Sequence, residues 1–240
     1  MKTALYAKLA FEGMRKNKKL YIPYILTGIG MVMMFFIVSF LSCSQGIHML
    51  KGGKNITETL GFGKFVIGVF ALIFLFYTNS FLMRRRKKEF GLYNIMGLSK
   101  GNISKILLLE NLFLYCISMA GGLFTGLLLS KGAELVLTKI MRGTPTTAFS
   151  FQAKPFWFTL LVFGVIFVLL LFRSLRQVKV TSPVELLHSE NFGEKTPKVN
   201  WVFGIAGVSV LALAYYLAIS AKSPIEALTT FFAAVILVIL

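Results

Sequence analysis

Few side chains in this sequence have the chemistry for catalysis, and their positions argue against an active site. The chain contains two histidines, His48 and His188, and nine carboxylates, most of them in predicted loops. It has no G-x-x-x-x-G-K-[ST] phosphate-binding loop, and the topology derived below puts the two histidines on opposite faces of a membrane, which rules out a shared metal site. The sequence therefore predicts a protein that is not an enzyme and holds no metal. If ATP and Mg²⁺ are used, a partner subunit must bind them.

The most concentrated charge is a run of five cations, Arg84, Arg85, Arg86, Lys87 and Lys88. It directly follows a long apolar stretch, and each cation would cost about 2.5–3.5 kcal/mol at the centre of a bilayer. The run must therefore lie outside the hydrocarbon. There we expect it to anchor the chain to anionic lipid headgroups.

Three polar residues, Asn79, Glu110 and Asn111, fall inside predicted membrane spans near the level of the cation run. A carboxylate inside a membrane is a functional candidate by default, and a membrane enzyme would use these three residues. The shallow depth of Glu110 favours instead an ion pair that packs helices together, with Lys105 or the cation run as its partner.

These residues belong to a predicted polytopic membrane protein. The chain is 56% hydrophobic, and its apolar residues form blocks that match the roughly 17–25 residues needed to cross a bilayer. The predicted fold class is all-α, with six transmembrane helices, the last one cut short. In the third of them, Gly122 and Gly126 form a small-xxx-small pattern that allows close helix packing. The spans are Leu20–Cys43, Phe65–Met83, Ile106–Ser130, Phe156–Phe172, Trp201–Ile219 and Ile225–Leu240.

The distribution of charge predicts the topology. Most of the 26 Lys and Arg residues fall on one side of the membrane when the N-terminus is placed inside, and the positive-inside rule assigns that side to the cytoplasm. The cations border apolar spans and do not interleave with exposed aromatic residues. The net charge of +17 therefore indicates contact with membrane lipids and argues against nucleic-acid binding.

The spans divide the chain into five predicted regions. Residues 1–19 form an amphipathic helix in the inner membrane interface, the alternative being a simple basic flank, and residues 20–64 form the first span and a small extracellular loop. Residues 65–172 form a three-helix unit that includes a cytoplasmic segment, 84–105. Residues 173–200 are a cytoplasmic linker, and residues 201–240 carry the fifth and sixth spans, truncated.

The cytoplasmic segment 84–105 contains a short predicted helix, Glu89–Met96. Gly97 ends this helix, and the turn Ser99–Asn102 returns the chain to the third span. A short interfacial helix braced between two spans can transmit force from a cytoplasmic partner. The same pattern also fits an ordinary intracellular loop, and residue types alone leave both interpretations open.

The string RRRKKEFGLYNIMGLSKGNISKILLLENL in this segment resembles the cytoplasmic coupling region of FtsX-like ABC transporter permeases. The spans from Phe65 to Phe172 are similar to the three-helix unit of that family, and Thr181–Leu187 resembles the Pro-containing segment that follows the unit. The loop Ser44–Lys64 is too short for the extracellular domain that many members insert there. In this respect the chain resembles the bacitracin-resistance (BceB-type) permeases of Gram-positive bacteria. Those permeases are expected to have ten helices and a large outer domain, so we expect this chain to be an N-terminal portion or a split half.

The resemblance implies a function and a set of partners. It implies a permease subunit in a bacterial cell membrane, driven by a cytoplasmic ABC ATPase dimer and acting in antimicrobial-peptide resistance or sensing. It also implies a membrane sensor histidine kinase as a further partner. Two alternatives stay open: another FtsX-like permease for lipoproteins or export, and a membrane scaffold or sensor partner without transport. The implied ATPase-coupling residues are Glu89, Phe90, Gly91, Leu92, Tyr93, Asn94 and Met96, with Gly97 ending the helix.

Overall fold

The computed structural model of the chain describes residues 2–48, 52–141, 153–180, 205, 207–210, 212–213 and 215–216. Within this part of the chain the secondary structure is helical, without strands, which confirms the all-α prediction. The chain divides into two compact units, Met1–Asn191 and Phe192–Leu240. The described residues of the second unit are helical and fall in the predicted fifth span. The predicted sixth span and the Thr181–Leu187 segment lie outside the described residues.

The described part of the first unit forms seven helices. In α1, Ala10 and Met14 are buried, whereas Lys8, Phe11 and Glu12 are exposed. The helices are α1 (Lys2–Lys16), α2 (Lys18–Cys43), α3 (Gln45–His48), α4 (Gly53–Arg85), α5 (Lys87–Ile95), α6 (Lys100–Ile140) and α7 (Ala153–Val180).

Four of these helices, α2, α4, α6 and α7, are long and apolar enough to cross a membrane. They correspond to the first four predicted spans, whereas the predicted total of six is not confirmed. α4 has 33 residues and α6 has 41. At 1.5 Å per residue they are about 50 and 60 Å long, and the hydrocarbon is only about 30 Å thick. Both helices therefore continue beyond the hydrocarbon, and much of the predicted loop Ser44–Lys64 is helical.

The contact between α2 and α6 is the most extensive in the described structure. Gly122 and Gly126 of α6 face α2 there: a methyl group on Gly122 would lie 2.5 Å from Cβ of Val32, and one on Gly126 would lie 2.9 Å from Cδ1 of Phe36. Lipid tails are as apolar as leucine, so such contacts are stabilised by close van der Waals packing instead of the hydrophobic effect. Because glycine has no side chain, α2 and α6 can approach each other closely at these two positions.

A polar contact fixes the far end of the same helix pair. The hydroxyl of Ser44, at the C-terminal end of α2, donates a hydrogen bond to the carboxylate of Glu134 on α6. The other oxygen of Glu134 pairs with Lys131 at 2.9 Å. Ser44 and Glu134 are both buried, so this contact ties α2 to α6 near the opposite end from α5.

Two apolar clusters hold the helices together. The larger one lies among the spans and includes the buried aromatic residues Phe35, Phe36, Phe163 and Phe167. The smaller one, which we call the Phe90 cluster, joins the ends of α4, α6 and α7 to α5. The short helix α5 is therefore packed against the spans and is not a free loop. The smaller cluster is formed by Met83, Phe90, Ile103, Leu107 and Val178.

Candidate functional site

The segment between α4 and α6 is shaped by local signals in its sequence. The amide of Leu98 donates to the carbonyl of Tyr93 at 2.9 Å, and the amide of Gly97 donates to the carbonyl of Asn94 at 3.1 Å. Gly97 has a φ of 87°, a left-handed conformation that costs glycine little. These bonds form a Schellman motif, which ends α5 where the sequence predicted. Ser99 then caps α6, its side chain accepting from the amide of Asn102 at 3.4 Å.

Arg86, at the junction of α4 and α5, is the centre of a buried polar cluster. Its Nη1 and Nη2 atoms contact the two carboxylate oxygens of Glu110 at 2.5 and 2.9 Å. Its Nε contacts Glu89 at 3.0 Å, and the guanidinium lies over the ring of Phe90, 4.9 Å from the centroid. Arg86 is only 1% exposed and Glu110 only 3%. One cation thus joins the short helix α5 to the long helix α6.

The junction between α1 and α2 completes this cluster from the opposite side. The side-chain amide of Asn17 donates to Glu89 at 2.5 Å and to the carbonyl of Gly13 at 3.3 Å. The hydroxyl of Tyr21 donates to Glu110 at 3.2 Å. A methyl group on Gly13 would lie 3.4 Å from Glu110, so the backbone of α1 runs close to the ion pair. We call this set the Arg86 cluster: Asn17, Tyr21, Arg86, Glu89 and Glu110.

The electrostatics of the cluster keep its cation charged. Burial alone would lower the pKa of the Arg86 guanidinium, but the charge of Glu110, acting together with Tyr21, the hydrogen bond to Glu110 and the charge of Glu89, more than offsets this effect, and the pKa is raised. Burial, followed by the charge of Glu89, raises the pKa of Tyr93, so this phenol is neutral at physiological pH. The Arg86 guanidinium therefore stays charged under physiological conditions and can hold both carboxylates in place.

The three intramembrane polar residues considered for catalysis are engaged in helix contacts. Asn79 on α4 donates to Ser174 on α7 at 3.0 Å, and Asn111 on α6 donates to the carbonyl of Phe167 on α7 at 3.1 Å. The cavity that these residues share with Glu110 has a volume of about 20 Å³, which is room for a single water molecule. A substrate does not fit there, so the geometry favours helix packing over an enzyme site.

The predicted ATPase-coupling residues divide into buried and accessible ones. Phe90 and Gly91 are buried, and Phe90 is part of the smaller apolar cluster, so neither residue is accessible here, and their predicted contact with an ATPase stays a prediction. The reason is the helical period of α5, which turns these positions towards the spans. Glu89 is half-buried and engaged by Arg86 and Asn17. Leu92, Met96 and Gly97 are exposed, and Tyr93 and Asn94 are half-buried.

Ile95, which the sequence interpretation left out, is 63% exposed. Its spacing from Leu92 and Met96 is the available signal, because positions i, i+3 and i+4 share one helix face. The three residues form an exposed apolar face on α5, which we call the α5 face. Asn17 and Tyr21 were also missed, because no local pattern links them to residues about 70 to 90 positions away.

The predicted lipid-anchoring run is also divided by the structure. Arg84 and Arg85 are exposed, and Arg85 lies 5.2 Å from the ring centroid of Phe81. Arg86 instead is buried in its ion pairs, and the lipid-anchoring role of the run stays a prediction. Arg86 points inward because the chain bends between α4 and α5. The side chains of Lys87 and Lys88 lie outside the described part of the structure.

Comparison with known proteins places these helices in a family. Residues 62–183, just over half of the chain, match the family described as FtsX-like permease C-terminal. This range runs through α4, α5, α6 and α7, and it includes Arg86, Glu89 and Glu110 of the Arg86 cluster.

Curated relatives extend the similarity towards the N-terminus. The chain is 28% identical over 212 residues to the "Bacitracin export permease protein BceB" of Halalkalibacterium halodurans, covering 87% of this chain and 33% of that protein. It is 27% identical to the "Uncharacterized ABC transporter permease YvcS" of Bacillus subtilis, covering 90% of this chain and 34% of that protein. The bacitracin export permease of Bacillus subtilis is 25% identical over 87% of this chain and 33% of its own length.

The chain thus spans about a third of the length of the curated relatives it matches. The family match and these relatives confirm the resemblance that rested on the segment around α5. The long apolar helices of the chain and the family match together indicate a multi-pass membrane protein. The chain belongs to the FtsX-like permease family.

Proposed function

We propose that this protein is a membrane subunit of an ABC transporter whose ATP is hydrolysed by a separate cytoplasmic ATPase. The observation that carries the proposal is the α5 face, an exposed apolar surface on a helix that is itself fixed to the spans by the Arg86 cluster and the Phe90 cluster. An exposed apolar surface outside the lipid favours a protein partner. In this proposal the ATPase dimer binds the α5 face, and it holds the ATP and Mg²⁺.

The proposed orientation puts the N-terminus and α5 in the cytoplasm. Exposed Arg84 and Arg85 then lie at the level of the inner headgroups, where we propose that they contact anionic lipid. The placement is tested by a single cysteine at Asn94 in a chain whose native cysteines, Cys43 and Cys116, are replaced by serine. A membrane-impermeant thiol reagent should label it in inverted vesicles and not in intact cells, and labelling in intact cells would contradict the orientation.

The proposed ATPase contact is tested by one charge on the α5 face. Ile95→Glu places a carboxylate in the centre of that face, and we expect co-purification of the co-expressed ATPase to fall by about tenfold or more, as for loss of a binding hot spot. The matched control is Ile140→Glu, because Ile140 is also exposed but lies at the other end of α6. ATPase yields that are the same for both variants would contradict the proposed docking surface. Phe90 is unsuitable for this test, since its removal would damage the core.

The finer proposal, resistance to or sensing of bacitracin-like peptides, rests on the names of two relatives. A membrane sensor histidine kinase is proposed as a further partner because the resemblance to BceB-type permeases implies one. The assay is bacitracin susceptibility of cells that lack this protein and carry either the wild-type chain or Ile95→Glu. Wild type should raise the inhibitory concentration, and the variant should not. Equal susceptibility with and without the wild-type chain would contradict the peptide-resistance role.

A further inference from the structure

The Arg86 cluster connects three parts of the protein that are distant in sequence. Asn17 belongs to the turn between α1 and α2, Glu89 to α5, and Glu110 to α6. Arg86 contacts both carboxylates, and Asn17 contacts Glu89 from the other side. The bonds form one continuous series from the end of α1, through α5, to α6, the longest helix of the described structure.

The geometry of these bonds leaves the connected helices little freedom to move independently. Each oxygen of Glu89 has its own partner, Asn17 on Oε1 and Arg86 on Oε2. Both oxygens of Glu110 are held by Arg86, and Tyr21 adds a third bond. A bidentate guanidinium–carboxylate pair fixes orientation as well as distance. A shift of α5 that left α6 behind would therefore break buried charge-assisted bonds, and one that left the α1–α2 turn behind would break the partly buried bond between Asn17 and Glu89.

We propose that the Arg86 cluster is a mechanical joint, which makes α5, the α1–α2 turn and the inner end of α6 move as one body. Arg86 and Asn17 are its positioning residues. The identity of whatever displaces α5 rests on the proposed function, but the joint itself does not. A displacement of α5 is thereby passed to α1 as well as to α6, and α1 is part of the moving unit instead of a passive membrane anchor.

The bond between Asn17 and Glu89 is the link that can be cut with least damage. It joins the α1–α2 turn to α5, whereas the Arg86–Glu110 pair stays intact when it is removed. Two single variants, Asn17→Ala and Glu89→Ala, remove this bond from opposite sides, and Glu89→Ala also removes the contact between Glu89 and Arg86. If the bond is the coupling, the double variant should have no larger effect than Glu89→Ala alone, because the loss of Asn17 then adds nothing once its partner is gone.

The test measures distances between spin labels by double electron–electron resonance on the purified full chain, without any ATPase. The background again replaces the native cysteines by serine. One label pair, at Phe11 and Ile95, reports on α1 and α5, and a second pair, at Met34 and Leu128, reports on α2 and α6. All four residues are exposed. The control variant is Glu12→Ala, which breaks the exposed pair between Lys8 and Glu12 on α1 and should leave both distributions unchanged.

We expect Asn17→Ala and Glu89→Ala each to broaden the α1–α5 distance distribution by about twofold or more, as local coupling is lost, with the α2–α6 distribution unchanged. An α1–α5 distribution as narrow as that of the wild type would overturn the proposal. Broadening of both label pairs would also overturn it, since this would indicate general loosening. Failure of the ATPase to co-purify with the wild-type chain would instead contradict the proposed function and leave this result standing.

Discussion

Replacing Arg86 by Met tests whether the buried ion pair stabilises the protein. Arg86 and Glu110 are 1% and 3% exposed, so the change leaves the Glu110 carboxylate in a site that solvent does not reach, with the Tyr21 hydroxyl as its remaining partner at 3.2 Å. Breaking one side of a buried ion pair costs about 3–5 kcal/mol. We expect Arg86→Met to lie in the upper part of this range, because two carboxylates lose the same cation.

The companion variants separate the penalty of an unpaired charge from the value of the pair. Glu110→Met should cost less than Arg86→Met, because Arg86 keeps Glu89 as a partner at 3.0 Å. The double variant should cost much less than the sum of the two, since it leaves no charge in the deepest part of the site. Its remaining carboxylate, Glu89, has a side chain that is 32% exposed and in reach of water. Replacement of a buried pair by apolar residues is often close to neutral.

The assay heats each purified variant in detergent to a series of temperatures. The fraction that is still folded at each temperature is then measured by size-exclusion chromatography, which gives the Tm. At about 2–4 °C per kcal/mol for a chain of this size, a loss of about 3–5 kcal/mol corresponds to a Tm lower by about 6–20 °C. The double variant should recover most of that loss. A Tm for Arg86→Met within about 2 °C of the wild type, or strictly additive losses in the double variant, would refute the reasoning from burial.

Three further changes and one control probe helix contacts and a turn, each measured as the change in Tm. Gly122→Ala should destabilise by about 1–3 kcal/mol, since the added methyl lies 2.5 Å from a side-chain carbon of α2. The control is Gly132→Ala, on the same helix with nothing within 4 Å, which should be neutral or stabilising by about 0.4–1 kcal/mol. Equal effects of the two variants would contradict the close packing of Gly122 against α2. Gly97→Ala should cost about 1–2 kcal/mol, because its φ of 87° strains any residue with a Cβ; no loss would mean that the turn readily rearranges. Ser44→Ala removes a buried hydrogen bond to a carboxylate and should cost about 1.5–3 kcal/mol, whereas an unchanged Tm would show that this bond contributes little.

The positions of the four described spans could be predicted from the sequence, but their lengths could not. A span is recognised by a block of apolar residues long enough for the hydrocarbon, and the predicted first span ends at Cys43, as α2 does. Helical hydrogen bonding does not stop at the lipid boundary. α4 begins at Gly53, before the predicted second span, and α6 continues to Ile140, beyond the predicted third span. Neither of these polar extensions contains a proline that would break the helix. A hydropathy pattern marks only the part of a helix that lies in lipid.

The candidate site was predictable to a similar extent. The position of α5, its end at Gly97 and the ion-pairing role of Glu110 follow from local residue types. The identity of the partner of Glu110 and the inward face of α5 do not. The sequence presents five adjacent cations as equivalent, yet the bend after α4 buries Arg86 and leaves Arg84 and Arg85 exposed. Phe90 is buried for the same reason: the face of a short helix that points inward depends on the helices packed against it.

The sequence by itself determined that this is a helical membrane protein of the FtsX-like permease family with a short helix between two spans. These properties depend on composition, on blocks of apolar residues and on a local string of residues, all of which can be read along the chain. The tertiary structure alone decided that Arg86 joins Glu89 to Glu110 and that Asn17 closes the network from the turn between α1 and α2. Such contacts link residues as far as 72 and 89 positions apart, and only the packing of α1, α2, α5 and α6 against one another brings their atoms within hydrogen-bonding distance.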